Sequence, residues 1–325
     1  FKQKTAYEIG VRLVGSEMCI RDRLGMGLLQ AAHGLGPAVM AVCLSALIAA
    51  LTWKSAFWLI GLSCSAVMVG LMFFFRNVPS DLGLLAYGAA DTEPARKTGD
   101  PAEEKRRLKA FLANMQGTTA FRRLVGIHFL GCVGHAIVII YVIPIAVAAG
   151  VDVVSAAGVL STLMAVSVLT RFLTPVVADY LGAKRTMATM FVLQGLPVLM
   201  LFWAHELWQF YLFALIFGIG YGGEGSAFPI INRQYFGRGP MGRSFGWQQF
   251  GAGTGMAVGG WIGGVLYMIF GSYDTTVILS VLASVSGAMV ILSMPPTSRP
   301  LIPHWEDTAA PVLEPQGPQP VPAGD

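Results

Sequence analysis

Three ionisable side chains stand in stretches that are otherwise apolar, and each could do chemistry there. Arg171 is the one charge between Val153 and Ala178. In a helix that ends near Asp179, its guanidinium lies eight residues, about 12 Å, from that end. A planar guanidinium binds a carboxylate through two parallel charge-assisted hydrogen bonds, which suits an anion-binding role. The competing reading is a side chain that snorkels to the nearer headgroups, a reach of roughly two helical turns. Glu224, in IGYGGEGSAFP, is the lone acidic residue of its stretch and lies nine residues, about 13 Å, from Arg233. It suits either a structural ion pair with Arg171 or a carboxylate that takes up and releases a proton. His135 is 13 residues from Arg122 and 17 from Asp152, near the middle of a third apolar stretch, with His128 two helical turns earlier on roughly the same face. It is either a neutral histidine bonded to a carbonyl or a substrate or proton-relay group, since imidazole titrates near neutral pH. Tyr141, Gln248, Gln249 and Tyr267 could add polar contacts, although Gln and Tyr in such stretches also serve as interhelical or interfacial contacts. His33 sits among small residues, where close packing through Gly34 and Gly36 explains the segment better than chemistry does.

Other chemistries have little behind them. No GxxxxGK[ST] loop is present, so ATP-driven pumping is unsupported. Neither a Ser/His/Asp arrangement nor a zinc spacing is visible, so the chain is expected not to be an enzyme and to need no cofactor or metal. Cys43, Cys64 and Cys132 lie inside apolar runs and read as packing residues.

The elements that position these residues are long and apolar. Of 325 residues, 54% are hydrophobic and 12% charged, with a mean hydropathy of +0.62. A soluble domain carries about 25% charge, so this is an all-α membrane protein. Eight spans near or above the ~20 residues of a crossing helix follow one another: Leu24–Leu51, Trp53–Phe75, Leu124–Ala149, Val153–Ala178, Met187–Ala204, Trp208–Ile231, Phe245–Phe270 and Thr275–Met294. Pro37, Pro144, Pro175, Pro197 and Pro229 fall inside them, as kinked or closely packed membrane helices allow.

The domain organisation reads as follows. Residues 1–23 have no apolar span, and Val14–Arg23 (VGSEMCIRDR) resembles a translated sequencing adapter, so this leader is set aside as non-native. Residues 24–75 form two helices and 76–122 a polar linker with an interfacial helix around Glu103–Met115. Residues 123–294 form six helices, and 295–325 a Pro-rich disordered tail. Lys and Arg fall in alternate loops: nine lie in Arg76–Arg123, while Gly150–Asp152, His205–Glu206 and Gly271–Asp274 contain none. The positive-inside rule then makes the linker and the C-terminus cytoplasmic. The net charge of +4 resides in these loops and gives no reason to expect nucleic acid. Gly27–Val39 aligned with Gly246–Val258, without a gap, matches at six of 13 positions, including Gln30/Gln249, Gly34/Gly253 and Gly36/Gly255. Repeats of this kind are the signature of two-half transporters.

The punctuation Arg171-x3-Pro175-x3-Asp179-x2-Gly182-x-Lys184-Arg185 resembles the loop after the second helix of a repeat in the major facilitator superfamily. The upstream arginine resembles its monocarboxylate and oxalate–formate branches. The resemblance implies the last eight of twelve helices, because the two matching spans lie six apart, as the fifth and eleventh helices do. Four more spans are then expected upstream in place of residues 1–23. It also implies a secondary carrier of small organic anions in a bacterial-type inner or plasma membrane. Arg171 would take the carboxylate, with His135, Tyr141, Gln248 and Gln249 around it. Glu224 or His135 would couple a proton, and Asp179, Gly182, Lys184 and Arg185 would form the cytoplasmic gate. Tyr180 departs from the commoner form, which has a basic residue after the Asp. Rival expectations are efflux of an apolar compound, with Arg171 paired permanently to Glu224, and an inert transporter fragment or sensor.

Overall fold

The computed structural model describes residues 51–76, 101–237, 242–298 and 300–307, together with scattered positions between 32 and 50. Among the described residues eight helices follow in order: α1 (Trp53–Met72), α2 (Pro101–Gly117), α3 (Thr119–Ala148), α4 (Val153–Leu181), α5 (Ala183–Gly195), α6 (Leu207–Phe236), α7 (Gly242–Phe270) and α8 (Asp274–Leu292). Helix α5 tightens into a 3-10 turn over Leu196–Phe202. Pro197 lies in that turn, where it has no N–H to give and crowds the carbonyl four residues back. Seven helical stretches among the described residues are long and apolar enough to cross a membrane; α2 is the exception. The expected span Leu24–Leu51 falls largely outside the described residues.

Local signals set the helix ends. Thr118 caps α3 by accepting from the Phe121 amide, and Asp152 caps α4 by accepting from Val154 and Ser155. Gly182, with φ of +83°, ends α4 in a conformation that disfavours a side chain. Pro144, Pro175 and Pro229 all lie inside continuous helices.

Helices α3–α8 pack as one bundle. Helix α3 lies against α7 and α8, α6 lies against α4 and α5, and α5 also touches α8. Small residues allow the closest approaches. An added Cβ at Gly218, Gly220 or Gly222 of α6 would fall 2.3–2.7 Å from backbone atoms of Leu163, Gln194 or Ser167. One apolar core, built on Leu124, Phe191, Phe228 and Ile291, fills the end near α2. A second, built on Val142, Leu163, Phe210 and Phe217, fills the other end. The buried polar residues of α3, α4, α6 and α8 fall mainly between those two cores.

Residues 295–298 and 300–307 differ from the expected disordered tail. The Leu301 amide donates to the Tyr235 carbonyl, the Tyr235 hydroxyl donates to the Pro295 carbonyl, and Ile302 is buried. Trp305 meets Phe111 of α2 edge-on at 5.1 Å, and Arg107 of α2 bonds Glu306 at 2.6 Å. Leu301, Ile302 and Trp305 supply apolar area that the proline-rich composition conceals. This strap therefore fastens α2 to the bundle.

Candidate functional site

The polar belt begins with α3, where His128, Gly131, Cys132 and His135 recur at helical spacing and are all buried. Opposite, α6 presents Glu224 at 2% exposure. Its Oε2 lies 3.0 Å from His135 Nδ1. Gly131 makes that approach possible: a Cβ there would stand 2.0 Å from Glu224 Oε1 and 2.7 Å from Phe191. Oε1 has no hydrogen-bond partner. Two surroundings thus act on one carboxylate, a charge-assisted contact through one oxygen and a buried position without a protein donor at the other.

Arg171 is 3% exposed, so it neither snorkels nor faces the lipid-side surface of the bundle. Its guanidinium lies 5.3 Å from the centre of the Tyr221 ring, within cation–π range. Its Nε has no hydrogen-bond partner. The Arg171 backbone carbonyl accepts from Ser226, which fastens α4 to α6 at this level. The expectation of a permanent Arg171–Glu224 pair is corrected here, because the carboxylate takes His135 instead. Tyr221 links the two groups: its ring also meets His135 edge-on at 4.9 Å. Sequence reasoning missed Tyr221, although Tyr221 and Glu224 are three residues apart and share a helix face.

The remaining expected contacts lie elsewhere. The Tyr141 hydroxyl donates to the Gly260 carbonyl at 2.6 Å and joins α3 to α7. Gln248 is fully buried, but its amide exchanges two hydrogen bonds, of 2.7 and 2.8 Å, with Asn232. Its hydrogen-bonding groups are therefore spent on holding α6 to α7. Gln249 is exposed on the bundle surface. His128 stacks on Phe228 at 3.8 Å, and its Nδ1 is unpartnered. Gln194, also missed, donates to the Gly131 carbonyl at 3.1 Å and so braces the helix turn that receives Glu224.

At the α2 end of the bundle, Asp179 and Arg185 are exposed and Gly182 makes the turn from α4 to α5. Lys184 donates to the Met294 carbonyl, and Arg123 donates to that of Ser293 at 3.2 Å. Two cations thus cap the carbonyl end of α8, where the helix dipole favours positive charge.

Residues 124–321, more than half of the chain, match the family model of the Major Facilitator Superfamily. The chain belongs to that superfamily. Membership accounts for the apolar helices as parts of a multi-pass secondary transporter, and superfamily members are transporters, not enzymes. No curated protein matches the chain. Within this facilitator chain, Tyr221 is the aromatic neighbour of both Arg171 and His135, and His135 in turn meets the Glu224 carboxylate.

Proposed function

We propose that this facilitator carries small organic anions, with Arg171 as the carboxylate anchor and the Glu224–His135 pair as the proton carrier. The observation that carries the reading is a guanidinium buried inside the bundle, with no carboxylate partner among the described residues and an unbonded Nε. Such a group costs several kcal/mol unless a counter-charge reaches it, and a substrate carboxylate would supply that charge. Tyr221 faces the guanidinium with its ring, and the unbonded Nε is left for the anion. The carboxylate–imidazole contact gives a proton two adjoining acceptors at mid-depth, as symport with an anion into a negative interior requires. Without a proton at that pair, the same anchor supports exchange of one anion for another. Alternating access would come from rocking of two bundles about this depth, with the linker and the basic gate of Asp179, Gly182, Lys184 and Arg185 on the cytoplasmic side.

Uptake of labelled monocarboxylates and dicarboxylates by cells expressing the complete reading frame tests this. Arg171→Lys keeps the charge but loses the fork, so uptake should fall by at least about tenfold, the worth of one charge-assisted hydrogen bond. Uptake at the wild-type level in that variant, at equal expression, would refute the anchor.

A further inference from the structure

Cys132 and His135 are three residues apart on α3 and therefore share a face. Glu224 of α6 meets that face, and one ligand atom from each of the three lies within 4.8 Å of the other two. All three side chains are buried. We propose that Cys132, His135 and Glu224 bind a thiophilic divalent transition metal of the zinc class. This goes beyond anion transport; a bound ion would occupy the Glu224–His135 pair, so the metal-loaded chain would not carry a proton there.

The geometry is near what such an ion needs. Ligand atoms at about 2.0–2.3 Å from a tetrahedral zinc stand roughly 3.3–3.5 Å apart. The His135–Glu224 separation is already 3.0 Å, and closing the third ligand asks for a shift of about an ångström. Glu224 Oε1 provides the independent sign: a buried carboxylate oxygen with no partner in a side chain that is 2% exposed. The donor set is one sulfur, one imidazole nitrogen and one carboxylate oxygen, which selects zinc-like ions over magnesium or calcium. Charge balances as well. On binding, the Cys132 thiol gives its proton to solvent and its sulfur bonds the ion. Thiolate and carboxylate then carry two negative charges against the dication, with imidazole neutral. Three protein ligands leave a fourth coordination position for water. The ion would join α3 to α6 across the polar belt.

Cobalt(II) is the probe, because a cobalt–thiolate bond gives a charge-transfer absorption that nitrogen and oxygen ligands do not. Purified chain of residues 1–325 in detergent is titrated with Co²⁺, followed by Zn²⁺ and by Mg²⁺. The expected result is a saturable band at one Co²⁺ per chain, displaced by Zn²⁺ and unaffected by Mg²⁺. The triple variant Cys19→Ser, Cys43→Ser, Cys64→Ser, which leaves the site untouched, should keep the band. Cys132→Ser should lose it, and Glu224→Gln should weaken Co²⁺ binding about 10- to 100-fold. No saturable band in the wild type overturns the proposal. So does a band that vanishes in the triple variant, because the thiolate then lies elsewhere in the chain.

Discussion

Gly131→Ala is the sharpest test of how Glu224 is seated. The added Cβ would lie 2.0 Å from Glu224 Oε1 and 2.7–2.8 Å from two ring carbons of Phe191. Cβ atoms do not approach neighbours within 3.0 Å, so the carboxylate must retreat by about 1 Å or more. It cannot do so freely, because its other oxygen is held 3.0 Å from His135. Overpacking of this kind costs about 1–3 kcal/mol, and loss of a hydrogen bond to a charged group about 1.5–3 kcal/mol. Alanine in place of a helical glycine returns roughly 1 kcal/mol. The net expectation is a destabilisation of about 1.5–5 kcal/mol. Gly126→Ala on the same helix is the control: nothing lies within 4 Å of its Cβ, so it should be neutral or stabilising. Thermal unfolding of both variants in detergent, followed by tryptophan fluorescence, should place Gly131→Ala several degrees below the wild type and Gly126→Ala at or above it. Coincident midpoints for the two variants would refute the claim that Glu224 fills the space beside Gly131.

Three further outcomes are expected. Gln248→Leu strands Asn232 Oδ1 in the core and should cost about 1–3 kcal/mol in the same unfolding assay; adding Asn232→Leu should recover part of it, and a double variant worse than the additive expectation would argue against the amide pair. Hydrogen bonds from the Ser155 hydroxyl and amide hold the Asp152 carboxyl below its usual range, and a depressed folded-state pKa stabilises the cap above the unfolded value of ~3.9 and loses it as pH falls through the folded one. Amide exchange at Val154 and Ser155 should therefore speed up below about pH 4 beyond its intrinsic rate, and Asp152→Ala should abolish that acid-dependent change. Trp305→Ala removes the ring that packs on Phe111 and lies 5.8 Å from the Arg107 guanidinium, so trypsin should cut faster at Lys105, Arg106 and Lys109; an unchanged digestion rate would mean that the strap does not hold α2.

Apolar runs of crossing length made the helices readable from composition alone, because a bilayer demands length and hydropathy before anything else. Arg171, Glu224 and His135 stood out for the complementary reason: an ionisable group in such a run is expensive. Their pairing was not readable. Helical spacing places a residue on a face of its own helix, but the choice of Glu224 between Arg171 and His135 depends on how α3, α4 and α6 are set against one another. That setting rests on Gly131, whose missing side chain is a cue only once Glu224 is known to be its neighbour. Cys132 reads as packing because its surroundings are apolar; Cys132-x2-His135 shares a helix face, but one such pair falls short of a zinc spacing until α6 brings Glu224 to it. Gln248 has the composition of a ligand contact, and only the position of Asn232 on another helix shows that its amide is engaged there.

The close contacts of α6 also have a consequence for how this chain can vary among relatives. At Gly218 and Gly222 the nearest atoms across the interface are the backbone carbonyls of Leu163 and Ser167, and at Gly220 they are backbone atoms of Leu193 and Gln194. Every residue type carries those same backbone atoms. The two sides of each contact therefore drift at different rates: α6 cannot accept even a methyl group at these three sites, whereas the facing positions can change identity without disturbing the contact itself. Among homologues, the three α6 positions should stay glycine while the half-buried Leu193 wanders, so the interface that sets the depth of Glu224 would leave almost no paired substitutions to reveal it.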